Sequence, residues 1–412
     1  MLAKIFPRVH GRYSSLRVLG AHLNGFVVWL FSQGYPLLPI RMRVRAAGRL
    51  DALLWRHGIR HPGELNAAEL LAYAPKDSQQ DISLAAVVRS LVRYFEEQHG
   101  LALPLPPTPG QKLLASYRTH LQNVRGIAAR TLSHHTATVS ELLAHLGHDR
   151  DPDRLRVLDP CRIEDFLVVV GTRLGRESLQ HTVAHIRSFL RFLAARGLAP
   201  TDLDTQIDTP RVYRGERLPR SLSWDTVRAF LRSIDRSTAM GRRDYAMFLL
   251  VVTYGLRTCE VVSLKLKDID WRAGSLRVPR PKVRSTLVLP LTTEVGDSIL
   301  AYLRDGRPSL PHPEVFLRER APGGTLRPTA LTEAFQGWTR RSGLAIPHQG
   351  PHCLRHALAM HLLREGTPLK TIGDLLGHRS TESTCVYLRL HVEDLREVAL
   401  DLPADDRTEV HP

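Results

Sequence analysis

A chain of 412 residues exceeds what one hydrophobic core usually serves, so two or three domains are expected. Lys and Arg number 57 against 41 Asp and Glu, a formal charge of +16. That excess favours a polyanionic partner, nucleic acid before an anionic membrane, over an acidic small molecule, although an Arg-rich proteome would also produce it. The apolar run Phe26 to Phe31 is cut by Ser32, Gln33 and Gly34, far short of the ~20 residues of a membrane span. The basic N-terminus is not followed by the apolar core of a signal peptide. A cytoplasmic protein is therefore expected. Four scattered cysteines, Cys161, Cys259, Cys353 and Cys385, form no C-x-x-C pair and suit a reducing compartment.

Residues 1 to 105 read as a helical N-terminal domain. An apolar stretch from Leu16 to Phe31 comes first, and Pro36 and Pro39 then interrupt the pattern. Arg41, Arg45 and Arg49 follow at i, i+4, i+8 and would form one basic stripe on a helix. That stripe is either a phosphate-tracking surface or a solvated face. Further helices are expected from Leu65 to Ala74 and from Ile82 to His99, before the proline-rich linker LALPLPPTPG.

Residues 110 to 205 read as a second helical unit. Helices are expected over Ser116 to Arg125 and Thr131 to Leu146. A third carries the apolar stripe Leu179, Val183, Ile186, Leu190 and Leu193, and Gly197 stops it.

Residues 201 to 220, with Pro210 and Pro219, read as a linker to a third domain over 215 to 400. Ser223 stands where a helix N-cap belongs, ahead of Trp224, and another helix is expected from Asp244 to Tyr254. A hairpin pairs Ser275 to Val278 with Thr286 to Leu291 across PRPKVRS. The remainder reads as helical to Leu400, ahead of a polar tail over 401 to 412. The expected fold is thus mainly α with a mixed α/β C-terminal domain.

Three clusters in that domain carry chemistry. Arg257 and Glu260 lie three apart in GLRTCE, so a carboxylate can brace a guanidinium. His352 and Arg355 are spaced likewise in PHCLRH. Leu-Gly-His at 376 to 378 is followed nine residues later by Tyr387. Cations around a phosphate, an acid for the leaving oxygen and a side-chain nucleophile are what strand breakage without metal or hydrolysis requires.

The order His-x-x-Arg, Leu-Gly-His, Tyr resembles the C-terminal signature of the tyrosine recombinases, the phage integrase family. The stretch RGIAARTLSHHTATVSELLAHL is similar to that family's core-binding domain. The resemblance implies a site-specific DNA recombinase with the integrase catalytic fold, preceded by a core-binding clamp and an N-terminal arm-like domain. It makes Tyr387 the nucleophile of a 3′-phosphotyrosyl intermediate, and Arg257 and Arg355 the phosphate clamp with Glu260 bracing Arg257. His352 and His378 become donors or proton acceptors, and Lys282 the hairpin acid, flanked by the candidate DNA contacts Arg280 and Arg284. It further implies double-stranded DNA as partner, a dimer at each site and a tetrameric synapse or companion recombinases, and a nucleoid-associated location. No cofactor is expected, and a zinc site at Cys259, Cys353, Cys385, His352 and His378 is set aside because zinc draws on close-spaced ligand pairs and His352 and Cys353 would point to different sides of a helix. An integrase or transposase of a mobile element is expected. A type IB topoisomerase and a non-cleaving accessory DNA-binding protein remain the alternatives.

Overall fold

The computed structural model describes all residues except 76–80, 99, 104, 213–220, 281–284, 349, 378–381, 386 and 389–412. The chain divides into two compact units, one combining Met1–Leu101 with Arg217–Pro412 and the other spanning Ala102–Glu216.

The first unit opens with short helices α1 (Leu2–Ile5) and α2 (His10–Ser14), then α3 (Gly20–Ser32) and α4 (Leu37–Arg56). Pro36 is the N-cap of α4. Pro39 falls in its first turn, where a missing N–H breaks no helical hydrogen bond, so the prolines separate the two helices without shortening the second. Ile40, Val44, Ala47, Leu50 and Leu54 form the buried stripe of α4. Asp51, 4% exposed, lies among them. Its carboxylate accepts the backbone N–H groups of Arg17, Val18 and Leu19 at 3.1, 2.8 and 2.7 Å, which satisfies the donors leading into α3 and makes a buried carboxylate tolerable. A short α5 (Ala67–Leu71) and α6 (Ile82–Glu97) complete this helical body.

In the second unit, Thr108 caps α7 (Pro109–Asn123) and exchanges hydrogen bonds with Gln111. The helix therefore begins inside the segment read as linker, because proline at the first helical position is preorganised for a helix start. Gly126, at φ +57°, turns the chain into α8 (Ala129–His145). Then come α9 (Pro160–Gly171), α10 (Arg176–Ala194) and α11 (Leu203–Gln206). Val139, Leu142 and Leu143 of α8 and Val183, Ile186, Leu190 and Leu193 of α10 share one core.

After residue 220, Ser223 caps α12 (Trp224–Arg232) through its hydroxyl. Next, α13 (Ala239–Tyr254) begins five residues earlier than its apolar pattern suggests, with Thr238 as cap. Its Arg243–Asp244 pair is buried, yet satisfied: Arg243 also donates to Leu317 O, and Trp338 donates to Asp244 at 2.9 Å. A short α14 (Thr258–Val262) leads to an antiparallel sheet of β1 (Ile269–Asp270), β2 (Ser275–Arg280) and β3 (Ser285–Pro290), in that order. Pairing runs from Ser275↔Pro290 to Arg280↔Ser285, so β2 reaches two residues beyond the expected strand. Then follow α15 (Thr293–Asp305), the small hairpin β4 (Leu317–Arg318) and β5 (Gly324–Thr325), α16 (Pro328–Ser342), α17 (His352–Arg364), α18 (Leu369–Leu376) and α19 (Glu382–Cys385). Among the described residues no helix is long and apolar enough to cross a membrane.

Candidate active site

The C-terminal turn of α18 is the point on which the site is built. Its end is forced by Gly377 at φ +63°, a left-handed conformation that side chains other than glycine adopt at a cost. The last carbonyls of a helix lack intrahelical partners and carry its negative dipole end. Here three guanidinium groups from three other elements meet them. Arg280, the last residue of β2, donates to Asp374 O and Leu375 O. Arg355 of α17 donates to Leu376 O and also to Gly255 O at the end of α13. Arg257 donates to Gly377 O at 2.8 Å.

Arg257 stands at the N-cap of α14 rather than on a helix face shared with Glu260. The bracing nevertheless forms, and doubly: Glu260 accepts the Arg257 backbone N–H and its Nη1, both at 2.8 Å. Glu260 is only 3% exposed and also lies 3.9 Å from Arg280 Nε, so one buried carboxylate serves two guanidinium groups.

Burial and the neighbouring Arg257 lower the Arg355 pKa to about 10, against an opposing pull from Tyr387 and Glu260. It remains a cation at neutral pH. Arg280 is shifted in the same direction, chiefly by burial. The expectation of Arg280 as a DNA contact is corrected by its surroundings: at 3% exposure its fork is turned inward onto α18. Alternation along β2 explains this, since Leu276, Val278 and Arg280 all face the buried side.

Tyr387 is 1% exposed and packs with Ala359 and Met360 of α17 and Ile372 and Leu376 of α18. Gly373 lets α19 come close to α18, since a Cβ there would stand 2.9 Å from Thr384 Oγ1. Burial raises the phenol pKa, and the charge of Arg355 opposes the shift. The Tyr387 hydroxyl lies 2.9 Å from Nδ1 of His356. Sequence reasoning passed over His356. The available signal was its position next to Arg355 and one turn after His352, which places it on the flank of α17. The His352 and His356 rings meet edge to face at 4.8 Å, with His352 exposed at the start of the helix.

The structure thus brings together Arg257, Glu260, Arg355 and Tyr387, adds Arg280 and His356, and sets His352 beside His356. Lys282, Arg284 and His378, and the segment after Leu388 read as helical, lie outside the described residues. On α4, Arg41 is half-buried and donates to Ile5 O, Arg45 is exposed, and Arg49 pairs with Asp81 at 2.8 Å. Cys353 is a buried packing thiol whose pKa is pushed up to about 12 by burial, with its Sγ donating to Gly350 O.

Comparison with known proteins shows the family. The phage integrase family model matches residues 220–394, and that of the phage integrase N-terminal SAM-like domain matches residues 114–197. A putative integrase/recombinase, y4rA of Sinorhizobium fredii, is 32% identical over 386 residues, covering 92% of this chain and 93% of that protein. Tyrosine recombinase XerD of Listeria monocytogenes is 30% identical over 283 residues, covering 66% and 91%. Among solved structures, the fold is similar to a post-cleavage complex of the XerH site-specific recombinase bound to palindromic difH substrate, with TM-score 0.54, 15% identity and coverage of 82% and 98%. It is also similar to a lambda integrase dimer bound to a COC′ core site, with TM-score 0.52, 17% identity and coverage of 78% and 90%. The chain belongs to the phage integrase family, the tyrosine recombinases.

Proposed function

We propose that the chain cleaves and rejoins duplex DNA at specific sites through a 3′-phosphotyrosyl intermediate, in the service of a mobile element. One observation carries the reading: Arg257, Arg355 and Tyr387 come from three separate elements and converge, with the two arginines anchored on one helix end and Tyr387 packed beside it. Arg257 and Arg355 supply the positive field in which a phosphate's charge can grow as the phosphorus becomes pentacoordinate. Each guanidinium has five N–H donors, enough to keep its carbonyl contacts and still meet a nonbridging oxygen.

In this reading Tyr387 attacks phosphorus, the 5′ oxygen leaves, and Lys282 protonates it. His378, which directly follows the anchored turn, and His352, at the exposed start of α17, donate to the phosphate. The phosphotyrosyl link conserves the energy of the broken phosphodiester, so rejoining needs no nucleotide cofactor. The structural relatives, a lambda integrase dimer and a lambda integrase tetramer bound to a Holliday junction, support assembly of several protomers on DNA.

The test is recovery of denaturant-resistant protein–DNA adducts from cells, comparing wild type with Tyr387→Phe and sequencing the attached DNA. Tyr387-dependent adducts at defined junctions are expected. Adducts dispersed over the genome would point to topoisomerase activity, and DNA binding without adducts to an accessory role.

A further inference from the structure

Attack by Tyr387 requires a destination for the phenol proton. At neutral pH a tyrosine with pKa near ~10 is about one part in a thousand phenolate. Burial moves Tyr387 further from ionisation, and Arg355 only partly offsets this. A base must therefore stand within hydrogen-bond reach of the attacking oxygen, roughly 2.6–3.2 Å. His356 Nδ1 stands at 2.9 Å.

We infer that His356 is the general base of strand cleavage, taking the proton of Tyr387 as the tyrosine oxygen attacks the scissile phosphorus. The inference rests on the recombinase reading and deepens it. The contact is built rather than incidental. Tyr387 is held by apolar neighbours on α17 and α18, and His356 is fixed on α17 beside Arg355. The two rings are inclined at 57° with centroids 5.6 Å apart, the hydroxyl meeting the imidazole at its nitrogen. In the inferred step the phenol is the donor, so Nδ1 accepts and the His356 proton belongs on Nε2.

The step balances. The O–H bond of Tyr387 breaks and its proton passes to Nδ1, while the Oη–P bond forms and the P–O5′ bond breaks. The departing oxygen takes a proton from the acid, assigned to Lys282. In rejoining, the imidazolium of His356 returns its proton to Tyr387 as the phosphotyrosyl bond opens. His352 lies one turn away, its ring edge to face against His356.

The test is single-turnover cleavage of a duplex recombination site by the full chain. His356→Gln keeps an oxygen able to accept the phenol hydrogen bond but does not take up the proton. Cleavage should slow by about 10²-fold or more, with DNA affinity unchanged. Replacing Tyr387 by 3-fluorotyrosine, whose phenol ionises more readily, should narrow the gap between His356→Gln and wild type several-fold. Wild-type cleavage by His356→Gln, or an unchanged gap with fluorotyrosine, overturns the proposal. A second measurement needs no substitution at His356: ¹⁵N shifts of the wild-type imidazole should place its proton on Nε2, and a proton on Nδ1 overturns the proposal. The two readings fail separately. Tyr387-dependent adducts with a fully active His356→Gln remove only the base, whereas wild-type protein that forms no Tyr387-dependent adduct removes both.

Discussion

Arginines gather around the end of α18, and histidines gather between α8 and α10. Both are crowds of basic side chains, and the fold manages them in opposite ways. Arginine does not release its proton in a protein. Arg257, Arg280 and Arg355 therefore remain charged, and the structure answers them with helix-end carbonyls and the shared carboxylate of Glu260. The histidine cluster has another exit. His135 and His185 pack with ring centroids 4.2 Å apart, and burial followed by the neighbouring His135, His134 and His181 lowers the His185 pKa to about 4. Its Nδ1 meets Thr138 Oγ1 at 3.0 Å, and Tyr117 Oη meets His135 Nδ1 at 3.1 Å. At neutral pH the pair, His135 buried and His185 half-buried, is uncharged packing. Where the charge is irreversible, the fold builds acceptors; where it is reversible, the proton leaves.

The largest expected effect follows from breaking the first arrangement. Arg355→Lys replaces a fork by a single ammonium that cannot bridge Gly255 O and Leu376 O while meeting a phosphate. Single-turnover cleavage should fall by about 10²–10³-fold, the range for loss of one transition-state donor, with DNA binding retained in gel-shift assays. A wild-type rate would show that the fork is dispensable.

Next in size is Gly377→Ala. A left-handed residue other than glycine costs roughly 1–2 kcal/mol, and the new Cβ would stand 2.5 Å from Arg280 Nη1. Denaturant unfolding should show a loss of about 2 kcal/mol or more. Combining it with Arg280→Ala should remove the steric part, so the two losses would sum to less than additive; strict additivity would separate Arg280 from the turn.

The histidine cluster gives a pH prediction of opposite character. A histidine whose folded pKa lies below its unfolded value binds protons more readily in the unfolded chain. Its contribution to stability is therefore present above about 6.5 and is lost as pH falls through about 4. In the full chain, hydrogen-exchange protection of α10, corrected for intrinsic exchange, should decline over that window, and His185→Gln should flatten the decline. An unaltered profile in the variant would place the pH response elsewhere.

The smallest effects belong to α4. Arg49→Ala should change stability by less than about 1 kcal/mol, because its ion pair with Asp81 is exposed. Arg45→Glu probes the stripe's exposed member. Weakened DNA binding, with a salt slope shallower by about 0.9 for each phosphate no longer neutralised, would mark a DNA-binding surface. An unchanged slope would mark a solvated face.

Much of the architecture was legible in the residues because it is local. Helical apolar spacing located α8 and α10, Ser223 announced α12, and alternation announced β2 and β3, each set by the few residues around it. The order of Arg257, Arg355 and Tyr387 was equally readable, since spacing along a helix or a turn constrains which chemistry can share a face. Direction and company were not. Nothing within PRPKVRS says that Arg280 turns inward; that depends on which face of β2 the helices cover and on carbonyls at Asp374 and Leu375, distant in sequence. Nor does HCLRH by itself distinguish His356 from His352 as the partner of Tyr387, because that contact exists only once α17 and α18 enclose the tyrosine. Sequence determined which groups were available and on which elements. Tertiary packing decided which carbonyl, carboxylate or hydroxyl each would meet, because hydrogen bonds and burial depend on distances that chain order does not encode.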